Sequence, residues 1–335
     1  MQINKNSFYR FIESERKLLG FAGISTLGLS DVRLRPLRER LAMIYAPENS
    51  VGFSSYMQRT LDRRADPSSL FPWAKSLAII SMPFNGIPTN NCFLPEARDE
   101  ELSGLIAGYA GRVDYHVFLR QKIIIFSEAM KKYLGKDFTC EISVDTKPLA
   151  EKSLAAFSGL GSIGLNSCLL CEGEGSGTCL GILALDIELP EMDPVDFAAP
   201  CSTCGKCAEQ CPTRAITGKP GEFIYRRCRS YLTMEKKGVL EKDEAALLGD
   251  WIFGCDICTS LCPGSDIPPP FKADLEWLLF EKDSIVEEVL KDTALEYPGI
   301  MLLRRNALAV LENREAPKAR ELAGKALADI KMEKR

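Results

Sequence analysis

The sequence predicts an α+β protein with three parts: an N-terminal α/β domain, a cysteine-rich module and a short C-terminal helical segment. Three observations support this prediction. Helical and extended apolar patterns mix in the first part, eight cysteines lie close together in the second, and only helical periodicity follows in the third. Proline-rich stretches near 190–200 and 267–270 separate the parts. The expected boundaries are 1–195, 196–268 and 269–335.

The first part begins with helices. A helical pattern starts at Ser7 and ends at Leu19, and Ser30-Asp31 begins a second helix with leucines on one side. Later helices are expected over 114–134 and 148–158. Three apolar runs are short and bounded by turn residues, which is typical of buried strands. They are Leu77–Met82, Cys140–Val144 and Cys179–Leu189.

The second part carries two similar cysteine runs. Cys201-x2-Cys204-x2-Cys207-x3-Cys211-Pro212 has the spacing of bacterial ferredoxins, and a second run, ending in Cys262-Pro263, repeats most of it. Two 4Fe-4S clusters need eight thiolates, and Cys228 is the eighth candidate. In two-cluster ferredoxins the last cysteine of each run binds the other cluster. The predicted ligand sets are therefore Cys201, Cys204, Cys207 and Cys262 for one cluster, and Cys211, Cys228, Cys255 and Cys258 for the other.

Zinc and disulfide bonds are the competing interpretations of these cysteines. Structural zinc needs one tetrahedral set, usually as two separated pairs, whereas this spacing suits a cube. Disulfide frameworks belong to small secreted chains, and the first residues show no apolar signal region. We therefore expect clusters, with a ferredoxin-like fold for the module.

The remaining composition points to a cytoplasmic protein. The chain has 335 residues, 46% of them hydrophobic, which supports a sizeable core. Its net charge of −4 argues against a globally basic nucleic-acid binder. No stretch reaches the ~18 apolar residues of a membrane span. In the last part, two helices are expected at Ile300–Leu311 and Ala316–Ile330, a pair that resembles a HEAT-type repeat.

A glycine motif, the single histidine and one acid–base candidate lie in the first part. Gly159-x-Gly161-x-x-Gly164 matches a dinucleotide fingerprint, but it follows a helix, so Gly159 is better explained as a helix C-cap. The glycines are expected to let backbone pass close to a flat ligand or a neighbouring strand. His116 is the single histidine. Asp145 lies where a strand ends, a common place for catalytic groups, although it could also cap the helix that follows.

Several further stretches form a family pattern. They are Met57-Gln58-Arg59, Arg63–Pro67, Gly108–His116, Val144–Pro148, Gly159–Gly161, Arg227–Thr233 and Gly254–Cys258. Together they resemble the epoxyqueuosine reductase family, over nearly the whole chain. The double cluster alone is generic, whereas the combination of Tyr115-His116, Asp145-x2-Pro148 and Cys228-x-Ser230-Tyr231-Leu232-Thr233 is specific to this group.

The resemblance implies a cobalamin-dependent reductase that converts epoxyqueuosine to queuosine in tRNA. It implies an N-terminal cobalamin-binding domain, two 4Fe-4S clusters that pass electrons to cobalt, and a C-terminal repeat that helps to hold tRNA. Asp145 takes the position of the proton donor. The implied cobalamin contacts are Arg59, Tyr115, His116, Asp145, Gly159 and Gly161.

Two departures from the family pattern leave the substrate open. Ser162 and Leu165 stand where the family usually has Trp and Lys. The alternatives are a paralogous corrinoid reductase, similar to reductive dehalogenases, that acts on a small molecule, and an iron-sulfur electron-transfer protein. The expected partners are tRNA and an electron donor such as a flavodoxin or ferredoxin. We expect a monomer with no membrane association.

Overall fold

The computed structural model describes residues 3–30, 34, 37–44, 59–90, 94–192 and 201–333. Its helices and strands confirm the predicted α+β class. Several predicted features lie outside the described residues: Met57-Gln58, most of the start of the second helix, and the expected boundary at 195. The strands of the described residues are β1 (Gly23–Gly28), β2 (Ser76–Pro83), β3 (Ser103–Ile106), β4 (Cys140–Ser143), β5 (Ser162–Ile163), β6 (Leu169–Leu170), β7 (Thr178–Leu185), β8 (Trp251–Phe253) and β9 (Phe271–Asp274).

The helices include the long elements expected in the first and third parts. Short 3-10 turns at 84–86, 100–102, 108–111, 225–227 and 294–296, and a π-helical turn at 231–235, connect them. The α-helices of the described residues are α1 (Lys5–Leu19), α2 (Leu37–Ile44), α3 (Leu61–Ala65), α4 (Pro67–Leu70), α5 (Tyr115–Leu134), α6 (Glu151–Phe157), α7 (Cys201–Cys204), α8 (Lys206–Glu209), α9 (Lys242–Leu247), α10 (Ile257–Ser260), α11 (Leu275–Phe280), α12 (Asp283–Leu290), α13 (Ile300–Glu312) and α14 (Pro317–Glu333).

A four-stranded sheet forms the centre of the N-terminal domain, in the order β1-β2-β7-β4. All three pairings are antiparallel, with Ile79 opposite Ile182 at the middle. Alternate residues of β2 belong to two different hydrophobic cores, and each core also contains helix residues. Helices therefore cover both faces of the sheet. A strand buried on both faces has a continuous apolar sequence, and the strands of parallel sheets show the same pattern. The expected α/β organisation is thus refined to an antiparallel sheet between helices.

The two faces of this sheet are packed by helices predicted from the sequence. Ile80 lies in a core with Phe8 of α1 and Phe126 of α5. On the other face, Ile79 lies in a core with Leu37 of α2 and Leu154 of α6. These contacts fix α5 and α6, whose first residues border the candidate active site.

A second sheet joins the first part of the chain to the rest. Its order is β8-β3-β9, in which β3 pairs parallel with β8 and antiparallel with β9. One hydrophobic core includes Ile106, Phe253 and Leu303, from all three expected parts. The division into three domains therefore stays a prediction, and the boundary expected at 268 does not separate two cores.

The C-terminal helices are anchored on the cysteine module. Asn306 of α13 is fully buried and donates to the carbonyl oxygens of Thr233 (2.9 Å) and Ile252 (2.8 Å). Arg314, between α13 and α14, forms an ion pair with Asp250 at 2.6 Å. The resemblance of this helix pair to a HEAT repeat stays a prediction. Among the described residues, no helix has both the length and the apolar composition that crossing a membrane requires.

Candidate functional site

Asp145 lies just beyond the end of β4, on an exposed loop that leads to α6. Its backbone has a φ of +50°, a left-handed conformation that non-glycine residues seldom adopt. Aspartate tolerates this conformation better than most residues, and such strain is often found at functional sites. The Tyr115 hydroxyl donates to Asp145 Oδ2 at 3.3 Å, and the Asp145 N–H donates to Glu151 Oε1 at 3.1 Å.

The alternative role of Asp145 as a helix N-cap is wrong. The helix expected from 148 begins three residues later, at Glu151, and its N-cap residue is Ala150, with no side-chain capping bond. The chain from 145 to 150 instead forms a loop, which includes a tight turn from the Leu149 N–H to the Lys147 oxygen (2.7 Å). Asp145 therefore has no capping bond to make, and its carboxyl group is exposed at the site.

The start of α5 supplies the partners of Asp145. Asp114 caps this helix by accepting from the His116 N–H at 2.7 Å. The same carboxyl lies 2.7 Å from His116 Nδ1, and the His116 ring stacks on Tyr115 with centroids 4.0 Å apart. Burial raises the pKa of Tyr115, and the charge of Asp145 acts in the same direction. Tyr115 therefore stays protonated and serves Asp145 as a donor.

An aromatic wall runs from this acid to the cysteine module; we define it as Phe84, Tyr109 and Tyr115. The Tyr109 ring lies 5.3 Å from Phe84 and 6.5 Å from Tyr115. Its hydroxyl donates to Met234 Sδ at 3.4 Å. All three rings are partly exposed, and one of them, Tyr115, is hydrogen-bonded to the Asp145 carboxyl.

A direct polar contact ties the wall to a cluster ligand run. The Gly108 N–H, next to Tyr109, donates to Asp256 Oδ2 at 2.6 Å, and Asp256 directly follows Cys255. A Cβ atom on Gly108 would lie 2.0 Å from the Pro268 oxygen, so only glycine permits this approach. The loop carrying Tyr109 is thus fixed against the second predicted ligand set.

Gly159 and Gly161 are both explained by packing within the chain. Gly159 has a φ of +81°, and the bonds Gly159 N–H to Ala156 O and Leu160 N–H to Ala155 O form the Schellman motif. The C-cap role expected for Gly159 is therefore present. A Cβ on Gly161 would lie 2.2 Å from the Leu170 oxygen, across the β5–β6 hairpin. Contact of either glycine with cobalamin stays a prediction.

The first predicted ligand set surrounds one cavity. Its other lining residues include Leu165 and Asn166 from the β5–β6 hairpin. All four thiols are free, as a cluster requires of its ligands. Leu165, one of the two departures from the family pattern, is thus placed against the cysteines. The four cysteines on this cavity are Cys201, Cys204, Cys207 and Cys262.

The second predicted ligand set is also brought together. Burial raises the pKa of the Cys228 thiol, and the charge of Cys211 acts in the same direction. Burial likewise raises the pKa of Cys255 to about 11, with a further contribution from Cys228. Cys258 is within electrostatic reach of both Cys255 and Cys228. These four thiols thus lie near one another, and their joint ligation of a second cluster stays a prediction.

Two side chains at these sites carried no signal in the sequence motifs. Glu151 reaches Asp145 only because the loop turns back on the start of α6. Cys168, in the turn of the β5–β6 hairpin, lies within electrostatic reach of Cys258 although it belongs to no ligand spacing. Arg59 is exposed at the edge of the described residues, and its role stays a prediction.

Comparisons with known proteins agree with this arrangement. The family model described as epoxyqueuosine reductase QueG matches residues 64–146, and the model of a 4Fe-4S double cluster binding domain matches residues 200–265. The epoxyqueuosine reductase of Cyclobacterium marinum is 35% identical over 254 residues, which cover 73% of this chain and 76% of that protein. This chain belongs to the epoxyqueuosine reductase family. It is an oxidoreductase with a double-cluster domain.

Further relatives extend the same relation. The Escherichia coli epoxyqueuosine reductase is 33% identical over 72% of this chain and 62% of its own length. The structure of the Streptococcus thermophilus enzyme matches with a TM-score of 0.75 and 25% identity, over 93% of this chain and 83% of that one. Another epoxyqueuosine reductase, solved with an epoxyqueuosine-modified tRNA stem loop, shares the fold at a TM-score of 0.75 and 24% identity, over 96% and 89%.

Proposed function

We propose that this protein reduces epoxyqueuosine to queuosine in tRNA, with two 4Fe-4S clusters and cobalamin. The observation that carries the proposal is the exposed Asp145 carboxyl, held by Tyr115 at one end of an aromatic wall whose other end contacts the double-cluster module. The relatives named epoxyqueuosine reductase, and the related structure that holds a modified tRNA stem loop, support the substrate.

The proposed ligand sets follow the crossed pattern. The first cluster is held on the cavity below the β5–β6 hairpin, and the second beside the Tyr109 loop. Asp256 follows Cys255 and accepts from the Gly108 N–H, so the second ligand set lies against the Tyr109 loop. When bound, the two clusters would carry electrons from a flavodoxin or ferredoxin to the site. The proposed ligands are Cys201, Cys204, Cys207 and Cys262 for the first cluster, and Cys211, Cys228, Cys255 and Cys258 for the second.

Cobalamin, when bound against the aromatic wall, would supply the reducing power that opens the epoxide. Tyr115, His116 and Asp145 are the described side chains that face it in this proposal, with Arg59, Gly159 and Gly161 as further expected contacts. Asp145 holds a proton for the departing oxygen. General-acid catalysis of this kind contributes about 10²–10⁴ in rate. Tyr115 orients the Asp145 carboxyl through Oδ2.

The overall reaction adds two electrons and two protons to the epoxide, which becomes an alkene with release of water. Both carbon–oxygen bonds of the epoxide break, and the oxygen takes both protons. The Asp145 carboxyl is exposed, so a substrate can reach it. We expect the protein to act as a monomer in the cytoplasm.

The test compares two substrates with cobalamin-loaded, anaerobically reconstituted protein and a low-potential reductant. One is a tRNA anticodon stem-loop containing epoxyqueuosine, and the other is the free epoxyqueuosine nucleoside. We expect loss of one oxygen atom from the stem-loop, measured by mass spectrometry of the digested RNA. Conversion of the nucleoside alone would indicate a small-molecule reductase. No conversion of either, with cobalamin bound and reduced, would reject the proposed function.

A further inference from the structure

The reaction needs two protons, and Asp145 holds only one. A second carboxyl group, Glu151, lies beside it and is not used in the role given to Asp145 above. Glu151 Oε1 accepts from the Asp145 N–H at 3.1 Å, which places its carboxyl group next to the residue that must be reprotonated. Because Glu151 is the first residue of α6, its position is fixed by that helix.

The groups that face Glu151 come from four elements of the fold. Two are cationic: Arg64, which donates to the Leu149 oxygen at 3.2 Å, and Lys152, whose ammonium donates to the Ser167 oxygen at 2.9 Å. The others are the Asp145 carboxyl, the Tyr115 hydroxyl and the buried Cys179 thiol of β7. Each of the two cations therefore also donates a hydrogen bond to a backbone oxygen.

The balance of these groups favours a protonated Glu151. Burial raises the pKa of Glu151 to about 8, and the negative charge of Asp145 adds to this effect. The Asp145 N–H, Arg64 and Lys152 act in the opposite direction but do not cancel it. Ionising two neighbouring carboxyl groups together costs free energy, so Glu151 keeps its proton beside the negative charge of Asp145.

We propose that Glu151 is a positioning residue that stores the second proton of the reaction and delivers it through Asp145. This inference rests on the proposed function. The exposed Asp145 carboxyl takes up one proton from water when the substrate binds, and as the first carbon–oxygen bond breaks it gives this proton to the oxygen, which becomes a hydroxyl group. Glu151 then reprotonates Asp145, beside the Tyr115 hydroxyl. As the second bond breaks, the hydroxyl takes this proton and leaves as water; the two electrons would be supplied by the clusters when they are bound.

The decisive variant is Glu151→Gln. Its amide oxygen still accepts the Asp145 N–H, so the loop keeps its position, but it stores no proton. We expect kcat on the epoxyqueuosine stem-loop to fall about tenfold or more near neutral pH. The wild-type kcat should decline as pH rises through about 8, where Glu151 loses its proton, while the variant's low kcat should not change in that range. Glu172→Gln, the same change at an exposed site, should keep the wild-type kcat and pH profile.

A measurement without turnover separates this inference from the proposed function. Infrared pH titration of the protein without substrate should show one protonated carboxyl band, lost near pH 8 in wild type and missing from Glu151→Gln. If wild type converts no substrate but shows the band, only the proposed function fails. If the band has disappeared by pH 6, or if Glu151→Gln keeps the wild-type kcat and pH profile, the inference about Glu151 is overturned.

Discussion

The cysteine module and the acid loop differ in how their functional groups are brought together. In the module, seven of the eight proposed ligands lie within two short runs, where the local spacing already fits a cube. In the acid loop, Asp145, Tyr115 and Glu151 come from a strand end and from the first residues of two helices. Substituting one cysteine ligand should therefore remove one cluster, whereas substituting a residue of the acid loop should lower turnover without changing the iron content.

The largest expected effect is on the acid loop, through Asp145→Asn. Asparagine adopts the left-handed conformation about as well as aspartate and has a similar size, but it cannot donate the proton. We expect turnover to fall by two or more orders of magnitude, with iron content and thermal midpoint unchanged. Asp137→Asn, an exposed residue in the loop before β4, serves as the control and should keep wild-type turnover. Normal turnover by Asp145→Asn would remove Asp145 from the mechanism.

The module should respond differently, by losing half of its iron. Wild-type protein should hold about eight irons after anaerobic reconstitution, and Cys228→Ala about four, because only the second cluster loses a ligand. Iron and sulfide analysis, together with electron paramagnetic resonance of the reduced protein, measures this loss. Cys140→Ala, in β4 and outside both sets, should keep about eight. Eight irons in the Cys228 variant would show that another residue completes the second set.

A smaller effect is expected when Asp145 keeps its carboxyl group but loses the hydrogen bond from Tyr115. Tyr115→Phe removes the hydroxyl that donates to Asp145 Oδ2 and keeps the ring in the aromatic wall. A hydrogen bond of this kind contributes about 0.5–1.5 kcal/mol, so turnover should fall up to roughly tenfold. Tyr133→Phe loses a hydroxyl near the other end of the same helix, and its kcat should match that of wild type. A loss of more than 100-fold for Tyr115→Phe would instead give Tyr115 a direct role in proton transfer.

The smallest effect tests the hairpin that covers the first cluster. In Gly161→Ala the new Cβ would meet the Leu170 oxygen at 2.2 Å, so the hairpin backbone must shift. Such overpacking costs about 1–3 kcal/mol, which lowers the thermal midpoint by several degrees. Gly324→Ala meets no atom within 4 Å and should stabilise α14 slightly. Equal midpoints for the two variants would mean that the hairpin adapts to the extra methyl group.

The same contrast explains what the sequence could predict. Ligand sets could be proposed from local spacing and the crossing rule, and Asp145 from its place at a strand end. The start of α6 could not be predicted, because the sequence pattern favours a helix from Pro148, whereas the chain forms a loop until the helix begins at Glu151. Glu151 was missed for the same reason, since its approach to Asp145 depends on that loop. Continuous apolar strands likewise indicated burial on both faces but not the antiparallel pairing.

One measurement tests directly the claim that the module supplies electrons while the loop supplies protons. Cobalamin-loaded protein is reduced anaerobically, freed of reductant and mixed with the epoxyqueuosine stem-loop, and cluster absorbance and queuosine are followed together. Wild type should reoxidise its clusters as queuosine forms, with two electrons lost for each product. Asp145→Asn should keep its clusters reduced and form almost no queuosine. Queuosine formation by the variant at the wild-type rate, with matching cluster reoxidation, would contradict the assignment of the proton to Asp145.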